Sequence, residues 1–167
     1  ILALADSAPE LEKNPPDGER KEYIWKACGE DETYKRPLRI GVAKDEAFCF
    51  FYEDNFQLLK EMGAELIFFS PMRDSRLPKE LDGLLLYGGY PELNGAVLEK
   101  NSSIRTEIAG KIKEGMPCMA ECGGFMYLHE EMEGMDGAVY RMAGVIPGKA
   151  FRTPRLSRFG YVTLSQK

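Results

Sequence analysis

A chain of 167 residues, 44% hydrophobic and 29% charged, holds enough apolar side chains for one core of ordinary size. Its net charge of -5 and pI near 5.1 exclude the basic footprint of a nucleic-acid binder or of a protein drawn to anionic membrane surfaces. No apolar run approaches the roughly 20 residues that cross a bilayer, and Ile1 to Asp6 is too short for a signal peptide and lacks its basic flank, so the chain reads as cytoplasmic.

The first 36 residues combine a brief apolar opening with Pro9, Pro15, Pro16, Gly18 and a dense mixture of Glu, Lys and Asp, the composition of a linker continuing from something upstream. From Pro37 the texture changes. Leu38 to Ala43 predicts a strand, Phe51 to Met62 carries Phe51, Phe56, Leu59 and Met62 at helical spacing, and Gly63 closes that helix. Glu65 to Phe69 predicts a second strand ended by Ser70-Pro71, and Leu84 to Tyr87 a third, ended by Gly88-Gly89. Ile104 to Glu114 predicts an amphipathic helix with Ile104, Ile108 and Ile112 on one stripe and Gly115 beyond it, and Pro117 to Ala120 a fourth strand. This alternation implies an α/β fold, a doubly wound and mostly parallel sheet. Beyond Leu128 the pattern weakens: Glu130 to Gly137 is acidic and glycine-containing, Tyr140 to Val145 predicts a short strand, and Arg158 to Leu164 resembles another just beginning.

In open parallel sheets ligands bind at the carboxyl ends of the strands, which directs attention to the turns after the third and fourth strands. The later turn reads Glu121-Cys122-Gly123-Gly124-Phe125-Met126: a strand, a cysteine, two glycines, then an apolar helical run. This is the cysteine analogue of a nucleophile elbow, where first-turn N–H groups favour a thiolate and can hold an oxyanion. The plainer reading, a small apolar cysteine beside glycines that permit close packing, applies to most cysteines. The earlier turn, Gly88-Gly89-Tyr90-Pro91-Glu92, could present backbone N–H groups to an oxyanion or could be an ordinary turn. Cys28, Cys49, Cys118 and Cys122 form no Cys-x-x-Cys pair, and with one histidine in the chain no metal site or disulfide framework is expected. That histidine, His129, falls seven residues after Cys122 on what reads as the same helix, roughly 10 Å along its axis, too far to serve as base to the sulfur.

Four runs carry a more specific likeness: Ala47 to Asn55; Gly63 to Leu66 with Phe69-Ser70-Pro71; Gly88 to Glu92; and Ala120 to Leu128. Over residues 37–167 the chain resembles the carboxy-terminal glutaminase domain of the cobyrinic acid a,c-diamide synthases, class I glutamine amidotransferases of the cobyric acid synthase type with a flavodoxin-like fold. The resemblance implies that Cys122 attacks the side-chain amide of glutamine, forming a thioester and releasing ammonia, with Gly88, Gly89 and Gly123 placed to supply oxyanion N–H groups. It implies an ATP-dependent synthetase domain before Ile1 that amidates acetate side chains of a corrinoid. Residues 1–36 are then its linker. No Gly-x-x-x-x-Gly-Lys-Ser/Thr motif is present, so ATP, magnesium and corrinoid are expected on that other domain and no cofactor on this one. The family's histidine lies in a later segment, so residues 37–167 are read as an incomplete glutaminase domain, truncated at its C-terminus and of little activity alone. Arg152, Arg155 and Arg158 fit either the family's site or a solvated loop. Three other readings stay open: an amidotransferase acting on another tetrapyrrole or a cell-wall intermediate, a non-catalytic docking module, and a different cysteine hydrolase on a similar sheet.

Overall fold

The structure, a computed structural model, describes residues 36–154 and Thr163. Contacts divide the chain into residues 1–36 and 37–167, and the description concerns the second unit. Strands β1 (Arg39–Ala43), β2 (Glu65–Phe69), β3 (Gly83–Leu86) and β4 (Cys118–Ala120) form one sheet in the order β2-β1-β3-β4, with every neighbouring pair parallel. Register places Val42 beside Phe68 on one side and Leu85 on the other, and Leu86 beside Ala120.

The two-residue period of the strands sends alternate side chains into two cores. Leu84 and Leu86 join Leu98, Ile104, Ile108 and Tyr127 on one face, whereas Val42, Leu85 and Tyr87 pack with Phe56 on the other. Helix α1 (Glu53–Glu61) supplies Phe56, fully buried, whose ring meets those of Phe51, Phe68 and Tyr87 at centroid distances of 4.9, 5.6 and 5.6 Å. The opposite face is covered by α2 (Gly95–Lys100), α3 (Ser102–Lys113) and α4 (Gly123–Tyr127). Helices on both faces make the sheet doubly wound, as its continuous apolar strands require.

Helix ends follow local chemistry. α1 begins two residues later than its apolar spacing suggests, because Tyr52 is extended, while Glu53 and Asp54 at its start and Lys60 in its last turn complement the helix dipole. Gly63 at φ +90° and Gly115 at φ +101° stop α1 and α3 in a backbone region that side-chain-bearing residues avoid.

The chain after α4 departs from expectation. β5 (His129–Glu133) lies between β6 (Val139–Arg141), antiparallel to it, and β7 (Ile146–Ala150), parallel to it, making a separate three-stranded sheet. The strand predicted over Tyr140 to Val145 is confined to 139–141 because the following residues turn back onto α4: Ala143 N–H donates to the Tyr127 carbonyl at 3.0 Å, and Val145 and Ile146 N–H both donate to the Leu128 carbonyl at 2.9 Å. The strand predicted over Arg158 to Leu164 lies outside the described residues, Thr163 apart. No helix among the described residues is long and apolar enough to cross a membrane.

Candidate active site

The sharp turn expected at Cys122 is present. Cys122 is exposed, caps α4, and holds φ 49° and ψ -115°, one of two non-glycine residues with positive φ among the described residues. Such a conformation costs on the order of 1–3 kcal/mol and persists only where its surroundings impose it. Here Glu121 N–H donates to the Leu86 carbonyl at 3.1 Å, Gly124 N–H reaches the carbonyls of Tyr87 at 3.0 Å and Glu121 at 2.9 Å, and Met126 N–H donates to the Cys122 carbonyl at 3.0 Å. The elbow is thus bolted to the carboxyl end of β3. Gly124 makes this approach possible, since a Cβ there would fall 1.9 Å from the Leu86 carbonyl oxygen. α4 has only five residues, so what it offers Cys122 is its first-turn N–H groups more than a long dipole.

The two glycine turns meet. A Cβ on Gly88 would sit 3.4 Å from the Cβ of Cys122, and one on Gly123 would end 3.1 Å from the Gly89 nitrogen and 2.8 Å from Cδ of Pro91. Gly89 adopts φ +154°, and its Cα faces the Ala47 carbonyl so closely that a Cβ would lie 2.2 Å from that oxygen. An isolated antiparallel bridge joins Gly88 to Phe50, whose N–H donates to the Gly88 carbonyl at 3.0 Å. The Gly89 and Gly123 N–H groups donate to no acceptor among the described residues. Two unpaired amides beside an exposed thiol can receive the oxygen of a tetrahedral adduct formed on that sulfur. Exposed aromatic side chains, Phe50, Tyr90 and Phe125, occupy the adjoining chain positions.

The remaining candidates separate clearly. Cys118, in β4, is half-buried, and burial pushes its thiol up to about 11, so it stays protonated where an exposed thiol begins to ionise. His129 is not on the helix that begins at Gly123, as its spacing suggested: α4 ends at Tyr127, and His129 opens β5 because the 143–146 segment takes the carbonyls that another helical turn would use. Its Nδ1 lies 2.9 Å from the Phe125 carbonyl oxygen, which can only accept, so that nitrogen carries the proton, and its ring stands edge-on to Phe125. This satisfies a last-turn carbonyl of α4. Arg152 is exposed; its N–H donates to the Glu133 carboxylate at 3.3 Å, and it lines a depression of about 170 Å³ together with Glu92 and Met126. Arg155 and Arg158 lie outside the described residues.

One residue with no signal in its composition or spacing binds this region together. Asp45, buried just beyond β1, accepts N–H bonds from Ala47 at 2.9 Å and Phe48 at 3.2 Å on Oδ1, and on Oδ2 the Ser70 hydroxyl at 2.8 Å and Met72 N–H at 2.9 Å. The bond from Ala47 N–H to its side chain, two residues on, is that of an Asx turn.

Residues 39–166 match the CobB/CobQ-like glutamine amidotransferase domain. The chain is 40% identical over 162 residues to a cobyrinate a,c-diamide synthase of Dehalococcoides mccartyi, covering 96% of this chain and 33% of that protein. It is 47% identical over 118 residues to one of Thermoplasma volcanium, covering 71% of this chain and 26% of the other. With one of Leptospira interrogans it is 38% identical over 167 residues, 100% of this chain and 34% of that protein. The chain therefore spans between about a quarter and a third of the length of these curated relatives. An α/β sheet of the kind expected, a cysteine elbow at the carboxyl end of its strands and a family match over most of the chain lead to one conclusion: this chain belongs to the CobB/CobQ-like glutamine amidotransferase domain family.

Proposed function

We propose that the chain is the glutaminase part of a cobyrinic acid a,c-diamide synthase, with Cys122 as the nucleophile and the Gly89 and Gly123 amides as oxyanion donors. The observation that carries this reading is the strained, exposed Cys122 set beside two backbone N–H groups that have no acceptor among the described residues. In the first step the Cys122 sulfur bonds to the side-chain amide carbon of glutamine, and the carbonyl oxygen takes the negative charge against the two amides. The adduct collapses to a thioester as the C–N bond breaks, and a proton delivered to the departing nitrogen releases ammonia. Water then attacks the thioester, giving glutamate and restoring the thiol.

The proton transfers need a base, and no hydrogen bond joins His129 to Cys122 among the described residues. The reading therefore takes the base from a histidine outside this sequence, with residues 37–167 nearly inactive alone. ATP, magnesium and the corrinoid belong, on the same reading, to a synthetase domain reached through residues 1–36, which would use the ammonia in a cytoplasmic ligase. Gly88, in the same turn, is a third candidate donor, and its bare Cα packs against Cys122. The test is Cys122→Ser in the full-length synthase: glutamine-driven amidation should vanish while ammonia-driven amidation continues. Persistence of glutamine-driven turnover would reject the assignment.

A further inference from the structure

We propose that Asp45 is a positioning residue for glutamine hydrolysis: its carboxylate holds the Ala47–Phe48 loop that sets both the Gly89 amide and the helix carrying the nucleophile. The inference rests on the reading of Cys122 as nucleophile and extends it to a residue that touches no reacting atom.

The argument begins with the number of acceptors. Asp45 takes four hydrogen bonds, two on each oxygen, from donors on two segments: Ala47 and Phe48 in its own loop, Ser70 and Met72 after β2. Only an ionised carboxylate offers two acceptor oxygens without a proton of its own. The loop is further closed by Phe48 N–H donating to the Asp45 carbonyl at 3.2 Å and Asp45 N–H to the Phe48 carbonyl at 3.3 Å.

From that loop two contacts run to the site. The Ala47 carbonyl accepts the Tyr90 N–H at 3.0 Å and lies against the Cα of Gly89, so its position fixes the strained residue whose nitrogen lies beside Gly123. The Phe48 ring, fully buried, meets the Tyr127 ring edge-on at 5.3 Å, and Tyr127 is in the helix that starts at Gly123. A third link, Phe50 N–H to the Gly88 carbonyl at 3.0 Å, continues the same stretch of chain along the glycine turn. Displacing Ala47 and Phe48 therefore changes the spacing between Gly89 and Cys122, on which stabilisation of an oxyanion depends.

Asp45→Asn removes the symmetry of acceptance, because an amide presents one oxygen and turns its NH₂ toward donors on the other side. In the full-length synthase this variant should lower kcat for glutamine about 10²-fold, as expected for a misplacement near 1 Å, with KM for glutamine changed by no more than about twofold. Labelling of Cys122 by a chloroketone analogue of glutamine should slow in parallel, because its carbonyl must occupy the same amides. Alkylation by iodoacetamide, which needs no oxyanion site, should keep its parent rate. Ser70→Ala, which deletes one of the four bonds, should shift kcat in the same direction by less and serves if Asp45→Asn does not fold. Wild-type kcat in both variants, or equal slowing of both reagents, overturns the positioning role. Full glutamine turnover by Cys122→Ser in the same assay would instead reject the nucleophile reading on which it rests.

Discussion

Gly88 and Gly89 are neighbours in one turn, yet the structure predicts opposite consequences for a methyl group at each. At Gly89 the new Cβ would lie 2.2 Å from the Ala47 oxygen and 2.9 Å from both the Ala47 carbonyl carbon and the Cys49 nitrogen, all backbone atoms that no rotamer change can move. Restoring ordinary contact requires a shift of about 1 Å or more in the 47–49 loop. Together with the positive φ of +154° this should cost about 2–6 kcal/mol. At the lower bound the thermal midpoint falls by roughly 8 °C. Gly88→Ala meets nothing closer than 3.4 Å and has no positive φ, so its stability should stay within about 1 kcal/mol of the parent. Its methyl nevertheless stands against the Cβ of Cys122 and should crowd the approach of an amide to the sulfur. The assay pairs thermal unfolding with glutamine turnover in the full-length synthase: Gly89→Ala should lose stability and turnover together, Gly88→Ala turnover alone. A Gly89→Ala protein with parent stability and parent turnover would refute the placement of this turn against Ala47.

Phe56→Ala removes the fully buried ring around which Phe51, Phe68 and Tyr87 gather and should destabilise the fold by about 3–5 kcal/mol in urea unfolding. Tyr127→Phe should be neutral or stabilising in the same experiment, because the buried hydroxyl has no hydrogen-bond partner among the described residues. Cys118 gives a pH prediction: its thiol is raised from 9.0 to about 11 by burial, so the folded state keeps its proton where the unfolded state gives it up. Its contribution to stability is therefore full below pH 9 and is lost as pH rises through about 11; mass spectrometry after brief alkylation at pH 8 should find Cys122 modified and Cys118 intact.

How far the fold could be read depended on whether an element's stability was local. β1 to β3 are apolar runs bounded by glycine, proline or serine, and the glycine turns stood out because two fell at strand ends that prove to be neighbours. β5 and β7 left no comparable signal. The sequence His-Glu-Glu-Met-Glu buries only Met132 fully, and Ile-Pro-Gly-Lys-Ala contains the residues that ordinarily end a strand; β5 is held by β6 and β7 on its two sides, and β7 by β5. α2 begins at a glycine, a poor helix former, because a Cβ on Gly95 would fall 2.3 Å from the Tyr140 ring, a contact no local pattern reveals. His129 was placed on the wrong element for a similar reason, since the donors that end α4 come from residues 143–146. At the candidate site, the sharp turn at Cys122 was legible from its glycines, whereas Asp45 gains its meaning from Ser70 and Met72, more than twenty residues away.

The central claim is that Cys122 is the sulfur that takes the glutamyl group. The most direct measurement is mass spectrometry of the full-length synthase after rapid acid quench during glutamine turnover, with the peptide containing Cys122 isolated. The account predicts a glutamyl thioester on Cys122 that disappears with hydroxylamine and is absent from Cys122→Ser. An unmodified Cys122 during active turnover, or the adduct on another residue, would contradict it.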